Sequence, residues 1–139
     1  RKKMEHYLQV LGMDVSFADR AVNDGFSGGE KKRAEVVQML VLDPKVAILD
    51  ETDSGLDIDS VKIAAKGVEY FASQEKTVLL ITHYQRILRY VRPEYVHVVL
   101  DGKIVLSGDY SLSEELEARG YQWIISQYKE KEGNNDGTK

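Results

Sequence analysis

At 139 residues, 42% of them hydrophobic and 30% charged, the chain has the size and composition of one globular domain with a core of its own. A net charge of -4 excludes a general nucleic-acid binder, whose footprint would be a basic stripe, and the short KKR run does not alter that balance. No cysteine is present, which excludes disulfides, thiolate metal sites and cysteine nucleophiles, and no apolar run approaches the roughly 20 residues that span a bilayer. The basic start RKKMEH lacks the apolar stretch of a signal peptide, so a cytosolic or stromal location is expected. The first residue is Arg, which reads as the start of a fragment or processed product.

Taken in order, Met4, Leu8 and Leu11 fall at helical spacing and Gly12 offers a stop, which predicts a helix over residues 1–12. A polar segment follows to Asp24. Gly25-Phe26-Ser27-Gly28-Gly29-Glu30-Lys31-Lys32-Arg33 then leads into Ala34, Val37, Leu40 and Val41, one apolar face of a second helix. Ser27 with Glu30 three residues later has the form of a capping box. Two glycines at a helix start allow backbone N–H groups to approach an anion, and three cations in the first turns oppose the helix dipole unless an anion is near. Simple capping and anion binding both remain readings of this stretch.

Asp43-Pro44 ends that helix and the apolar run Val46 to Leu49 follows as a strand, closed by the carboxylates Asp50 and Glu51. Ser54-Gly55-Leu56-Asp57 reads as a turn, with Asp57 or Asp59 capping a helix whose stripe is Ile58, Val61, Ala65, Val68 and Phe71. Thr77 to Thr82 is a second apolar strand and runs straight into His83. Strand, helix, strand is the pattern of a parallel sheet, which brings Asp50, Glu51 and His83 to one sheet edge. A short helix is predicted up to Val91, before Pro93. Tyr95 to Leu100 and Lys103 to Ser107, joined by Asp101-Gly102, predict a hairpin with a type I′ turn, His97 being structural within it. Leu112, Leu116, Tyr121, Trp123, Ile124 and Tyr128 suggest one or two C-terminal helices, and KEKEGNNDGTK reads as a disordered tail.

Four stretches in chain order, Phe26-Ser27-Gly28-Gly29-Glu30, VAILDE, Ser54-Gly55-Leu56-Asp57 and the strand-end His83, resemble the signature, Walker B, D-loop and switch histidine of ABC-type ATPases. The resemblance runs from Asp24 to about Trp123. Within that family GFSGGEKKR, DETDSGLDID, ITHYQRIL, PEYVHVVLDGKIVLSGD and GYQWI are similar to the SufC branch, the ATPases of the SUF iron–sulfur cluster assembly system. Transporter ATPases usually read DEPTSALD, where this chain has Thr52-Asp53-Ser54-Gly55.

The resemblance implies an α/β fold, a partial P-loop domain with a parallel sheet, flanking helices, a C-terminal hairpin and helices. Its parts would be the end of a helical subdomain with the signature helix (1–42), the C-terminal part of the ATPase core (43–128) and the tail (129–139). It further implies ATP and Mg²⁺ as ligands, with Asp50 at the metal, Glu51 and His83 catalytic, and Ser27, Gly28, Gly29, Glu30 and Asp57 at a nucleotide sandwiched in a transient dimer with a second ATPase subunit. One of the three cations Lys31, Lys32 and Arg33, with Lys32 the first candidate, would pair with Glu51 when nucleotide is absent. The implied partners are SufB-like and SufD-like scaffold proteins, without nucleic acid or direct membrane insertion; the alternative is the ATP-binding subunit of a membrane transporter. No G-x-x-x-x-G-K-[ST] occurs in these residues, so the chain alone is expected neither to bind ATP tightly nor to hydrolyse it, and its sheet is expected to leave an apolar face uncovered.

Overall fold

The computed structural model describes residues 1–21, 25–83 and 86–135, with 129–135 described by backbone alone. The chain forms two compact units, Arg1–Val91 and Arg92–Lys139. The first begins with α1 (Lys2–Leu11), which buries Tyr7, Leu8 and Leu11 and ends at Gly12 in the left-handed region, φ 72°. There the Gly12 and Met13 N–H groups return to the Gln9 and Leu8 carbonyls, the pattern that glycine permits at a helix end. The following segment, expected only to be polar, contains a 3₁₀ turn at Val15–Asp19, started by the Asp14 carboxylate accepting from Ser16 N–H and anchored by buried Phe17.

Helix α2 (Gly28–Leu42) buries Val36 and Met39 as well as Ala34, Val37 and Leu40, more than the single face its spacing suggests. The reason is that α2 packs against both α1 and α3 (Ile58–Ala72). On α3 the stripe holds for Val61, Ala65, Val68 and Phe71, whereas Ile58, in the first turn, is 63% exposed.

Strand β1 (Val46–Asp50) pairs in parallel with β2 (Thr77–Ile81), in a register that runs from Val46 opposite Thr77 to Asp50 opposite Ile81. Alternation then sorts the side chains. Ala47 and Leu49 point into the core made with the helices, while Val46, Ile48, Leu79 and Ile81 on the other face stay about half or more exposed. The expected uncovered apolar face is therefore present.

The predicted helix before Pro93 is a 3₁₀ turn, Ile87–Arg89, with Ile87 fully buried. The turn ends at Tyr90, whose N–H returns to the Ile87 carbonyl at 3.0 Å. Tyr84 and Gln85 of the ITHYQRIL stretch, and Asp24 at the start of the family resemblance, lie outside the described residues.

In the second unit β3 (Val96–Leu100) and β4 (Lys103–Gly108) form the hairpin, with Asp101 and Gly102 both at positive φ, 49° and 73°, as a type I′ turn requires. His97 Nδ1 lies 2.8 Å from Ser107 Oγ across the strands, a structural pairing. Helix α4 (Tyr110–Arg119), capped by Asp109, packs on the hairpin, and Leu112, Leu116 and Ile124 form this unit's own small core. Helix α5 (Gln122–Asn135) runs through residues 129–135, the first part of the stretch read as the tail. Residues 136–139 lie outside the described set.

Candidate functional site

Parallel pairing brings the ends of β1 and β2 side by side, and the chemistry collects there. The Glu51 N–H donates to the Ile81 carbonyl at 2.8 Å, extending the ladder one residue past β1. Glu51 Oε1 lies 3.1 Å from His83 Nδ1, and both side chains are about half exposed. An exposed pair of this kind contributes about 0–1 kcal/mol, too little to be what holds the strands together. Its backbone points the same way: Glu51 has φ 49°, a left-handed conformation that costs a non-glycine residue about 1–3 kcal/mol and gathers at functional sites. Glu51 carries both the strain and the pairing, and Asp50 stands beside it as the last residue of β1.

Asp50 is exposed at that edge. Among the described residues no group of three or more His, Asp or Glu side chains is placed to hold a metal ion.

The signature stretch forms a second group of residues. Ser27 caps α2, its Oγ accepting from Glu30 N–H at 3.2 Å while Glu30 Oε2 accepts from Ser27 N–H at 2.9 Å, so the capping box is complete. Gly28 faces open space, and a Cβ at Gly29 would meet Ser60 Oγ at 3.7 Å and Leu56 Cδ2 at 3.8 Å, which sets the signature against the start of α3. Asp57 caps that helix by accepting from Ser60 N–H at 2.7 Å, and this bond, with the Arg33 guanidinium as a smaller influence, holds its carboxyl below the usual carboxylate range.

The three cations after the signature divide. Lys31 is exposed, Lys32 pairs with Glu35 at 3.3 Å, and Arg33 has a buried Nε without a hydrogen-bond partner. The expected Lys32 to Glu51 pair is not formed: Lys32 and Glu35 sit three apart on one helix face, and Glu51 pairs with His83.

Two residues at these sites escaped sequence reasoning. Arg20 pairs with Glu30, donates to the Gly25 carbonyl at 3.3 Å, and lies over the rings of Phe26 and Phe17 at 4.5 and 5.5 Å. It occupies a segment whose polar composition carries no periodic signal. Asp53, 1% exposed, accepts from Thr82 Oγ1 at 2.9 Å. The only sign of Asp53 in the sequence is the departure from DEPTSALD.

Arg20, then Ser27, lowers the Glu30 carboxyl from its ordinary 4.5 to about 2. A carboxyl depressed in the folded state stabilises fully above its unfolded value, and that contribution is lost as pH falls from about 4.5 toward about 2. Across this window the urea midpoint of the wild-type chain is expected to fall more steeply than that of Glu30→Gln, and the difference should shrink in high salt. Parallel slopes would show that the pair contributes nothing.

Two carboxylates and a histidine at the carboxyl end of a parallel strand pair occupy the position where open α/β folds bind ligands. Residues 1–54 match the family model described as ABC transporter. The chain is 56% identical over 117 residues to a probable ATP-dependent transporter, ycf16, of Trieres chinensis, covering 84% of this chain and 47% of the relative. It is 50% identical over 123 residues to vegetative protein 296 of Bacillus subtilis, strain 168, covering 88% and 47%. A probable ABC transporter ATP-binding protein of Streptococcus pyogenes serotype M3 matches at 50% over 132 residues, covering 92% and 52%. A crystal structure of an ATP-binding cassette of an ABC transporter in its ADP conformation superposes with a TM-score of 0.68 at 21% identity, covering 91% of this chain and 48% of that one. Over these stretches the chain is similar to ABC transporter ATP-binding proteins, and it spans about half the length of the curated relatives it matches. Among the described residues no helix is long and apolar enough to cross a membrane.

Proposed function

We propose that this chain is the C-terminal half of an ATPase subunit that serves iron–sulfur cluster assembly of the SUF type. The observation that carries the ATPase part is the Glu51–His83 pair at 3.1 Å beside Asp50, on strained backbone at the carboxyl edge of β1 and β2. In this reading Glu51 orients and polarises the water that attacks the γ-phosphate, and His83 holds the Glu51 carboxylate from Nδ1 while its ring contacts the phosphate or that water. Asp50 would hold Mg²⁺ through its water shell, and the ion would supply charge neutralisation at the phosphates. Ser27, Gly28 and Gly29, at the start of α2, would meet the γ-phosphate of a nucleotide bound to a second copy, with Glu30 and Asp57 at the same interface.

The SUF assignment rests on the DETDSGLDID, ITHYQRIL and late hairpin stretches and on Thr52-Asp53, which departs from the transporter pattern. The names of the relatives favour a second reading, the ATP-binding subunit of a membrane transporter. Affinity purification of the tagged full-length protein separates the two. Recovery of soluble SufB-like and SufD-like proteins, with ATPase activity that they stimulate, is the expected result. Recovery of a membrane-embedded permease instead, with stimulation only in its presence, would sink the SUF reading.

A further inference from the structure

We infer that Asp53 is a positioning residue that, through Thr82, ties the turn after β1 to the end of β2 and thereby sets the distance between Glu51 and His83; this rests on the ATPase reading above. Asp53 lies two residues after Glu51, and Thr82 immediately precedes His83. The bond from Thr82 Oγ1 to Asp53 Oδ2, 2.9 Å long and partly buried, is therefore a side-chain tie next to the pair. The Asp53 side chain is 1% exposed, and its other oxygen, Oδ1, is buried without a hydrogen-bond partner.

A carboxylate buried with half of its acceptors unmet is costly to keep, and an apolar residue would pack there more favourably. Neighbouring Thr52, also buried, shows that the turn itself is packed rather than solvated. What Asp53 secures is the geometry of the turn. The Glu51 N–H reaches Ile81 on β2, the Ser54 N–H returns to the Glu51 carbonyl at 3.0 Å, and the Leu56 N–H reaches the Asp53 carbonyl at 3.4 Å. These bonds hold Glu51 at positive φ, while Thr82 locks the neighbouring strand end to the same turn. The turn continues into Ser54-Gly55-Leu56-Asp57, so any movement of that loop reaches His83 through Asp53.

The test uses Thr82→Val, which removes the hydroxyl and keeps the shape, and Thr82→Ser, which restores the donor. In the present chain, amide hydrogen exchange at Glu51 and Ser54 is expected to quicken about tenfold or more in Thr82→Val, with the amides of Ala47 to Leu49 unchanged, and to return in Thr82→Ser. In the full-length protein kcat is expected to fall about tenfold in Thr82→Val with KM unchanged, again restored by Ser. Uniform or absent changes in exchange would overturn the positioning role, as would local quickening with kcat unaltered. A wild-type full-length protein without ATPase activity would defeat the ATPase reading instead, and the exchange data would then decide the tie alone. Should Thr82→Val fail to fold, Thr82→Ala gives the same readouts.

Discussion

Glu51→Gln in the full-length protein is expected to lower kcat by about 10²-fold or more while ATP still binds, as measured by steady-state phosphate release and nucleotide titration. Gln keeps the length, the volume and one acceptor oxygen, so the backbone bond to Ile81 and the fold should persist. What it loses is the negative charge that polarises water, together with the charge that His83 faces at 3.1 Å. Removing a group that takes or polarises the proton of the attacking nucleophile typically costs about 10²–10⁴ in rate. The fold cannot account for such a loss, because an exposed pair contributes only about 0–1 kcal/mol to stability. Activity within about threefold of wild type would remove Glu51 from the catalytic role and leave the strain at its φ without a functional reason.

Gly67→Ala is expected to destabilise the first unit by about 2 kcal/mol, read from the urea midpoint of the present chain. In a helix interior alanine is ordinarily better than glycine by about 1 kcal/mol, so propensity alone predicts the opposite sign. Packing decides it. A Cβ at Gly67 would stand 2.2 Å from Val36 Cγ1 and 3.4 Å from Leu11 Cδ2, at the point where α3 meets α2 and α1. Val36 is fully buried and branched at Cβ, with little rotamer freedom to move aside. Overpacking costs about 1–3 kcal/mol, and with an overlap this deep the upper part of that range outweighs the propensity gain. Val36→Ala added to Gly67→Ala should recover part of the loss, a coupling that distant sites would lack. Unchanged or raised stability in Gly67→Ala would mean that the two helices separate at little cost.

The two outcomes differ in how far they were legible beforehand. Glu51 could be singled out because it follows an apolar strand and precedes a turn, signals contained within a dozen residues. Gly67 lies mid-helix with nothing local to mark it, since its neighbour Val36 comes from another helix. Arg20 is similar: its polar segment carries no period, and its role comes from Phe17, Phe26 and Glu30 meeting around it. Lys32 failed for the complementary reason. Charge placement suggested a partner across the fold, and Glu35, three residues away, was nearer.

Local rules therefore determined what depends on residues close in the chain: the Ser27 to Glu30 capping box, a cap from Asp57 or Asp59, the Gly12 stop, the Asp101-Gly102 turn and the order of the main strands and helices. Tertiary structure alone decided what depends on chain segments far apart, such as the Glu51–His83 distance, the bond between Thr82 and Asp53, and the close meeting of α2 with α3. A side-chain pattern states which face of an element is apolar, but the register of β1 on β2 and the depth of helix contact come from packing the whole unit at once. That packing turned two strand ends into one candidate site.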